Sequence, residues 1–183
     1  NFSLGTVVSQ DGNTTIITGG TQAGTSLFHS FDAFNVGTAS IAQFQSNPNQ
    51  FPASDIIARV IGGRESQIDG TIQTVGFGNA NLWFMNPAGI MFGENAKLDI
   101  GGSVVFTTAN RLESEADQQS GFFGTATTAQ FLSAFSVANV VEFGFFPSSD
   151  STAPGTISIT ESKLTLPPNQ TLAFVGGDIN VTG

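Results

Sequence analysis

Apolar residues in this chain come in short runs, and a turn signal follows almost every one. Strand-like runs are predicted at 6–8, 14–18, 56–61, 68–75, 82–85, 90–92, 97–100 and 103–108. After a less regular middle they resume at 140–146, 156–160, 163–166, 171–175 and 178–181. Clusters of Gly, Asn, Pro or Ser bound nearly all of them, and β-branched and aromatic residues dominate inside them, as strands prefer. Helical periodicity is weak throughout. Its best stretch, Leu112 to Gln119, is too short and acidic for more than one turn. The pattern predicts an all-β chain.

Leu82 to Thr108 carries the most specific part of that pattern. Its apolar runs are separated by two tight punctuations, Asn86-Pro87-Ala88-Gly89 and Gly101-Gly102. Pro fixes φ near −65° at the second turn position and Gly accepts φ > 0, so Asn-Pro-x-Gly reads as a turn. Such turns between nearly all-apolar strands describe a chain that keeps changing direction around one core, a β-solenoid. Ile90 and Phe92 are then expected to point inward. An internal echo agrees. Lys97-Leu-Asp-Ile100, a bend and Val104-Val-Phe106 resemble Lys163-Leu-Thr-Leu166, a bend and Leu172-Ala-Phe174. The offset of roughly 66 residues reads as about three coils of roughly 22 residues.

Residues 1–45 do not share the rhythm. Within them Leu27, His29 and Phe31 alternate with Phe28 and Ser30, and Phe is dense. A solenoid's first coil must be covered, because a bare end shows unpaired strands and apolar core. Leu27, Phe28, Phe31 and Phe34 are therefore expected to form a structural cap. Residues 46–110 read as the first coils, 111–154 as an excursion of hairpins on one solenoid face, and 155–183 as further coils. The chain stops at Gly183 without a cap signal, so it reads as a single domain and the N-terminal piece of a longer solenoid.

Composition removes most functional classes. Of the 183 residues only 10% are charged, and the net charge is −9 with five cations, Arg59, Arg64, Lys97, Arg111 and Lys163. No basic stripe exists to neutralise phosphates, so neither nucleic acid nor anionic lipid is an expected partner. The longest apolar runs are about five residues, against the roughly 20 that span a bilayer, so no membrane insertion is expected. No signal-peptide pattern opens the sequence, which implies one removed or lying outside it. There is no Cys, hence no disulfide framework or thiolate metal site.

Catalytic constellations are equally sparse. His29 is the single histidine; Ser30 and Asp32 adjoin it, but successive strand residues face opposite ways and no nucleophile motif is present. Glu113, Glu115 and Asp117 alternate and read as a solvated loop, since neither calcium-repeat pattern is matched. Gly76-Phe-Gly-Asn79 lacks the third Gly and helix of a nucleotide loop. Paired carboxylates for glycoside hydrolysis are a tertiary matter and stay open. No catalytic residue, metal or cofactor is assigned, and the chain is read as not an enzyme.

Laid out this way, the chain resembles the secretion domain of two-partner secretion exoproteins, the filamentous haemagglutinin-like or haemagglutination activity domain, and is similar to its cyanobacterial branch. The matching segments are Ser26 to Val36, Ile57 to Gly63 with Ile68 to Ile72, Asn86-Pro-Ala-Gly-Ile-Met-Phe-Gly93 with Ala96 to Ala109, and Leu172 to Asp178. Ala88 stands where the family's commonest motif has Asn. Asn47-Pro48-Asn49-Gln50 corresponds to a second motif whose fourth position is usually Leu.

The resemblance implies a right-handed parallel β-helix with an N-terminal cap and extra-helical strands. It also implies a role: addressing a secreted or surface exoprotein to its outer-membrane β-barrel transporter, whose periplasmic POTRA domains bind it. Transporter recognition is assigned to the turn motifs Asn47, Pro48 and Asn49 and Asn86, Pro87, Ala88, Gly89 and Ile90, in a chain expected to be monomeric. Two other readings stand beside it: a surface adhesin module that binds glycan, and a β-helix carbohydrate-active enzyme.

Overall fold

The computed structural model describes residues 4–48, 52–114, 122–123, 140–145 and 154–183. Two hairpins open the chain. β1 (Thr6–Asp11) pairs antiparallel with β2 (Thr14–Gly19), and β3 (Thr21–Ala23) with β4 (Ser26–Phe31). Then follow β5 (Ile41–Gln45), β6 (Asp55–Val60), β7 (Ser66–Ile68), β8 (Thr71–Val75), β9 (Asn81–Met85), β10 (Ile90–Phe92), β11 (Lys97–Asp99) and β12 (Val104–Thr107). β13 (Arg111–Ser114), β14 (Phe122–Phe123) and β15 (Val140–Gly144) form an antiparallel sheet of their own. β16 (Thr156–Thr160), β17 (Leu172–Val175) and β18 (Asp178–Thr182) end the chain.

The strands from β5 to β12 visit three sheets in strict rotation, and after the β13–β15 sheet the chain returns to two of them, with β16 and β18 in one and β17 in another. The first sheet has the order β1-β2-β5-β8-β11, the second β17-β12-β9-β6-β4-β3, and the third β18-β16-β10-β7. Every pairing within them is parallel except the two opening hairpins. An all-β chain whose parallel sheets are entered in this cycle has the arrangement of a parallel β-helix.

In-register pairing stacks the inward positions into columns. Leu27, Ile56, Leu82, Val104 and Leu172 form one column of the second sheet; His29, Ala58, Phe84, Phe106 and Phe174 form the next. The period-2 alternation of each run sends these side chains inward. There the rings meet: Phe34 and Phe84 lie 4.9 Å apart, Phe92 and Phe106 4.8 Å, and Phe106 and Phe174 stack at 5.8 Å. Ile90 and Phe92 are fully buried in the same core.

A second, smaller core covers the outer face of the second sheet, where Leu4, Phe28, Ile57 and Met85 are buried. Trp83 and Phe143 pack against it, their rings 6.1 Å apart, so β15 reaches this face. Trp83 is the single tryptophan and reports this contact directly. Phe143→Ala should red-shift its emission and lower stability by about 1 kcal/mol, the size of an aromatic pair; unchanged emission would show that β15 does not shelter the indole.

Four expectations are corrected. The echo does not span three coils: Val104 pairs directly with Leu172 and Phe106 with Phe174, so the echoing segments are adjacent rungs. Their separation reflects the 111–154 excursion inserted between neighbours. Residues 1–45 are not outside the rhythm, since β2 pairs parallel with β5 and β4 with β6, which makes them the first rung of two sheets. The run 68–75 is broken at Asp69-Gly70, where the chain turns from the third sheet into the first. Lys163 to Leu166 forms no strand, although Leu164 and Leu166 pack on the core.

Candidate functional site

The Asn86 turn joins the second sheet to the third, between β9 and β10. Gly89 N donates to Asn86 O at 3.1 Å, closing the turn, and Gly89 has φ 128°, a conformation a β-branched residue tolerates badly. Asn86 is completely buried, and so are Gly89 and Ile90, while Pro87 and Ala88 are half-buried.

Asn86 ties three levels of the coil together through its carboxamide and its backbone N–H. Its Nδ2 donates to Arg64 O and to Ser66 Oγ, both at 2.9 Å, in the preceding coil. Its Oδ1 accepts from Ala88 N at 3.0 Å, the local bond by which Asn favours turns. Its backbone N donates to Thr107 O at 2.9 Å in the following coil. Two further bonds close the shell: Ser66 N donates to Gly89 O and Gly155 N to Pro87 O, both at 3.0 Å. Every polar atom of the Asn86 side chain is used internally.

The other motif sits differently. Asn47 and Pro48 are exposed in the connection from β5 to β6, and Asn49 lies outside the described residues. Asn47 and Pro48 line a cavity of about 170 Å³ together with Leu27, Pro52 and Phe77. This connection enters the second sheet, whereas the Asn86 turn leaves it. The two motifs therefore lie at opposite ends of strands about 16 Å long, at about 3.3 Å per residue, and do not form one patch.

At the N-terminal end, Leu27, His29 and Phe31 share the inward face of β4. Leu27 is buried, Phe31 half-buried, and Phe34 buried beside Phe44 and Phe84. Phe28 points the other way, into the outer cluster. His29 is 1% exposed, and burial lowers its pKa from 6.5 to about 4, so the ring is neutral. Its Nδ1 faces Thr6 Oγ1 at 3.3 Å, and Thr6 Oγ1 accepts from Ser30 N at 3.2 Å. Thr6 thereby fastens β1 to β4. The Ser30 hydroxyl accepts from buried Arg59 Nε at 3.0 Å, on the face opposite His29. His29 and Ser30 thus have no shared geometry for nucleophilic attack.

Among the described residues no group of three or more His, Asp or Glu could hold a metal ion, and no helix is long and apolar enough to cross a membrane. Glu115 and Asp117 lie outside the described residues, and only the backbone of Glu113 is described. One carboxylate is tightly engaged. Asp69 accepts from Thr38 Oγ1 and from Asn95 N (3.0 Å) and Nδ2, and these bonds hold its pKa below the usual carboxylate range.

Sequence reasoning found the Asn86 turn but missed its partners Ser66, Thr107 and Gly155. They come from three other points in the chain, and no spacing rule connects them.

No curated protein matches this sequence. The sequence model of one family, the TPS secretion domain, matches residues 2–183, and the chain belongs to that family.

Proposed function

We propose that this chain is the secretion-targeting domain of a two-partner secretion exoprotein, read by the POTRA domains of its outer-membrane transporter. The observation that carries the proposal is the family match over residues 2–183. Members of that family serve two-partner secretion and interact with a cognate outer-membrane transporter.

The fold supports a particular mode of recognition. β4, β6, β9 and β12 each have a neighbour on both sides, so their backbone groups are already used in the folded domain. An extended segment of the same chain, neutral and with apolar alternate positions, can instead add as a strand to a POTRA sheet edge, with backbone bonds giving affinity and side chains giving register. After transport each coil docks on the one before, starting from the rung made by β2 and β4, and one-dimensional folding favours outward movement. The domain acts as a monomer without catalytic residues or cofactor, and its destination is the cell surface or the medium.

Calorimetry of native and urea-diluted domain against the periplasmic domains of its transporter tests this. The diluted, unfolded chain should bind in the micromolar range, about −8 kcal/mol, because a tightly held address would stall export. Equal nanomolar binding by both forms would overturn recognition of the extended chain. No binding by either would leave an adhesive module as the better reading.

A further inference from the structure

We infer that the Asn86–Ile90 turn is a timed site, open to a partner only until the chain returns at Gly155 and β16 docks over it, so that this docking ejects the transporter. The inference rests on the reading that the transporter recognises this turn.

The turn is sealed in three stages that follow chain order. Arg64 and Ser66 precede it and supply the acceptors for Asn86 Nδ2. Thr107 comes next and takes the Asn86 backbone N–H. Gly155 arrives last, after the whole 111–154 excursion, and gives its N–H to Pro87 O at 3.0 Å. Until then the Pro87 carbonyl has no donor from this chain among the described residues.

Gly155 is placed for this contact and for no bulkier residue. A Cβ there would overlap Gly89 N and stand 2.7 Å from Ala88 O, so only the bare backbone can lie on the turn. One rung further on, β16 pairs with β10 along Ile90, Met91 and Phe92, and fills the edge of β10 not taken by β7.

The groups used by the seal are the groups a partner would need. Pro87 O accepts, and until β16 docks the edge of β10 not paired with β7 offers the alternating N–H and C=O of an open strand. The matching partner is another sheet edge, which is what a strand-adding periplasmic domain presents. Since fold and partner compete for the same atoms, they exclude each other, and apparent affinity falls with the fraction of chain in which the turn is open.

The test uses the full 183-residue chain and the purified periplasmic domain of its transporter. Unfolded wild-type chain should bind, and folded wild type at least roughly tenfold more weakly. Gly155→Val keeps the turn sequence intact but blocks the seal. Its folded form should bind at least about threefold more tightly than folded wild type, with the β10 and β16 amides that pair across this edge exchanging freely. A folded Gly155→Val chain that binds as weakly as folded wild type overturns the inference while leaving targeting intact. Failure of the unfolded wild type to bind, or unfolded Asn86→Ala binding as well as wild type, overturns recognition of the turn itself.

Should Gly155→Val unfold the chain, refolding of the unaltered chain decides. Release of the periplasmic domain and protection of the Gly155 amide, which donates to Pro87 O, should share one rate constant. Release that clearly precedes protection would show that another event ejects the partner.

Discussion

Replacing Asn86 by Ala should lower the stability of the folded domain by about 3 kcal/mol, while Asn47→Ala should cost at most about 1 kcal/mol. The two residues begin similar motifs, yet their surroundings differ completely. Asn86 is fully buried and its carboxamide makes bonds to Arg64, Ser66 and Ala88. Alanine leaves Arg64 O and Ser66 Oγ without that donor and Ala88 N without its acceptor. A buried group left unpaired costs about 1–3 kcal/mol, more than the bond was worth, because water is not there to replace it. The Ser66 hydroxyl can turn to another partner and half-buried Ala88 can reach solvent, which holds the sum near the lower end.

For a chain of this size that loss should bring the thermal midpoint down by about 10 °C, at about 2–4 °C per kcal/mol. Asn47 is exposed, so water can replace what its side chain gives up on truncation. Thermal or urea unfolding of the two variants side by side is sufficient. Equal losses would mean that both motifs are structural staples, or that neither is.

The contrast bears on what these motifs do. A side chain with every polar atom engaged inside the fold cannot be read by another protein while the fold persists. Asn86 therefore serves stability in the folded state, and any service to recognition belongs to the unfolded chain. Exposed Asn47 and Pro48 stay within reach of another protein while the fold persists. Variants at the two sites should separate in export assays, with Asn86→Ala impaired in folding as well as export.

Much of this architecture was legible because each strand of a coil is half-buried. Leu82, Phe84, Val104 and Phe106 alternate with outward residues, and Pro87 with Gly89 announces the turn between sheets. What was not legible depended on pairing across long distances. The adjacency of β12 and β17 is hidden because an excursion separates them in the chain, and a reader who assumes uniform coils mistakes one step for three. β2, with the sequence Thr-Thr-Ile-Ile-Thr-Gly, is legible as a strand, but only its parallel register with β5 reveals that it belongs to the coil. Lys163 to Leu166 has the right alternation but no strand assignment, so periodicity alone overstated it. The candidate site divides likewise: the Asn86 turn is written locally, whereas Ser66, Thr107 and Gly155 become its partners only through coiling.

Acidification should destabilise the domain through His29 by about 3 kcal/mol between pH 6.5 and pH 4. In the unfolded chain His29 titrates at 6.5, and burial lowers this to about 4 in the fold. Within that interval the unfolded chain binds a proton that the folded chain refuses, so stability rises with pH. The contribution is fully present above pH 6.5 and is lost as pH falls towards 4. The surroundings explain the refusal. His29 is flanked by Phe31 at 6.2 Å and Phe44 at 5.4 Å, its polar contact is the neutral hydroxyl of Thr6, and among the described residues no carboxylate contact compensates a charge.

Asp69 also loses stability on acidification, but its depressed pKa starts from 3.8 and places that loss below the His29 window. The two can be told apart. His29→Gln keeps a polar side chain near Thr6 and removes the titration, so its urea-unfolding free energy should be nearly flat from pH 6.5 to 4, whatever its absolute value. Retention of the wild-type slope in that variant would assign the acid sensitivity to other groups. Because Thr6 fastens β1 to β4 at this point, loosening should begin at the first rung. Amide exchange in β1 and β4 should accelerate at pH 4.5 before exchange in β9 and β12 does.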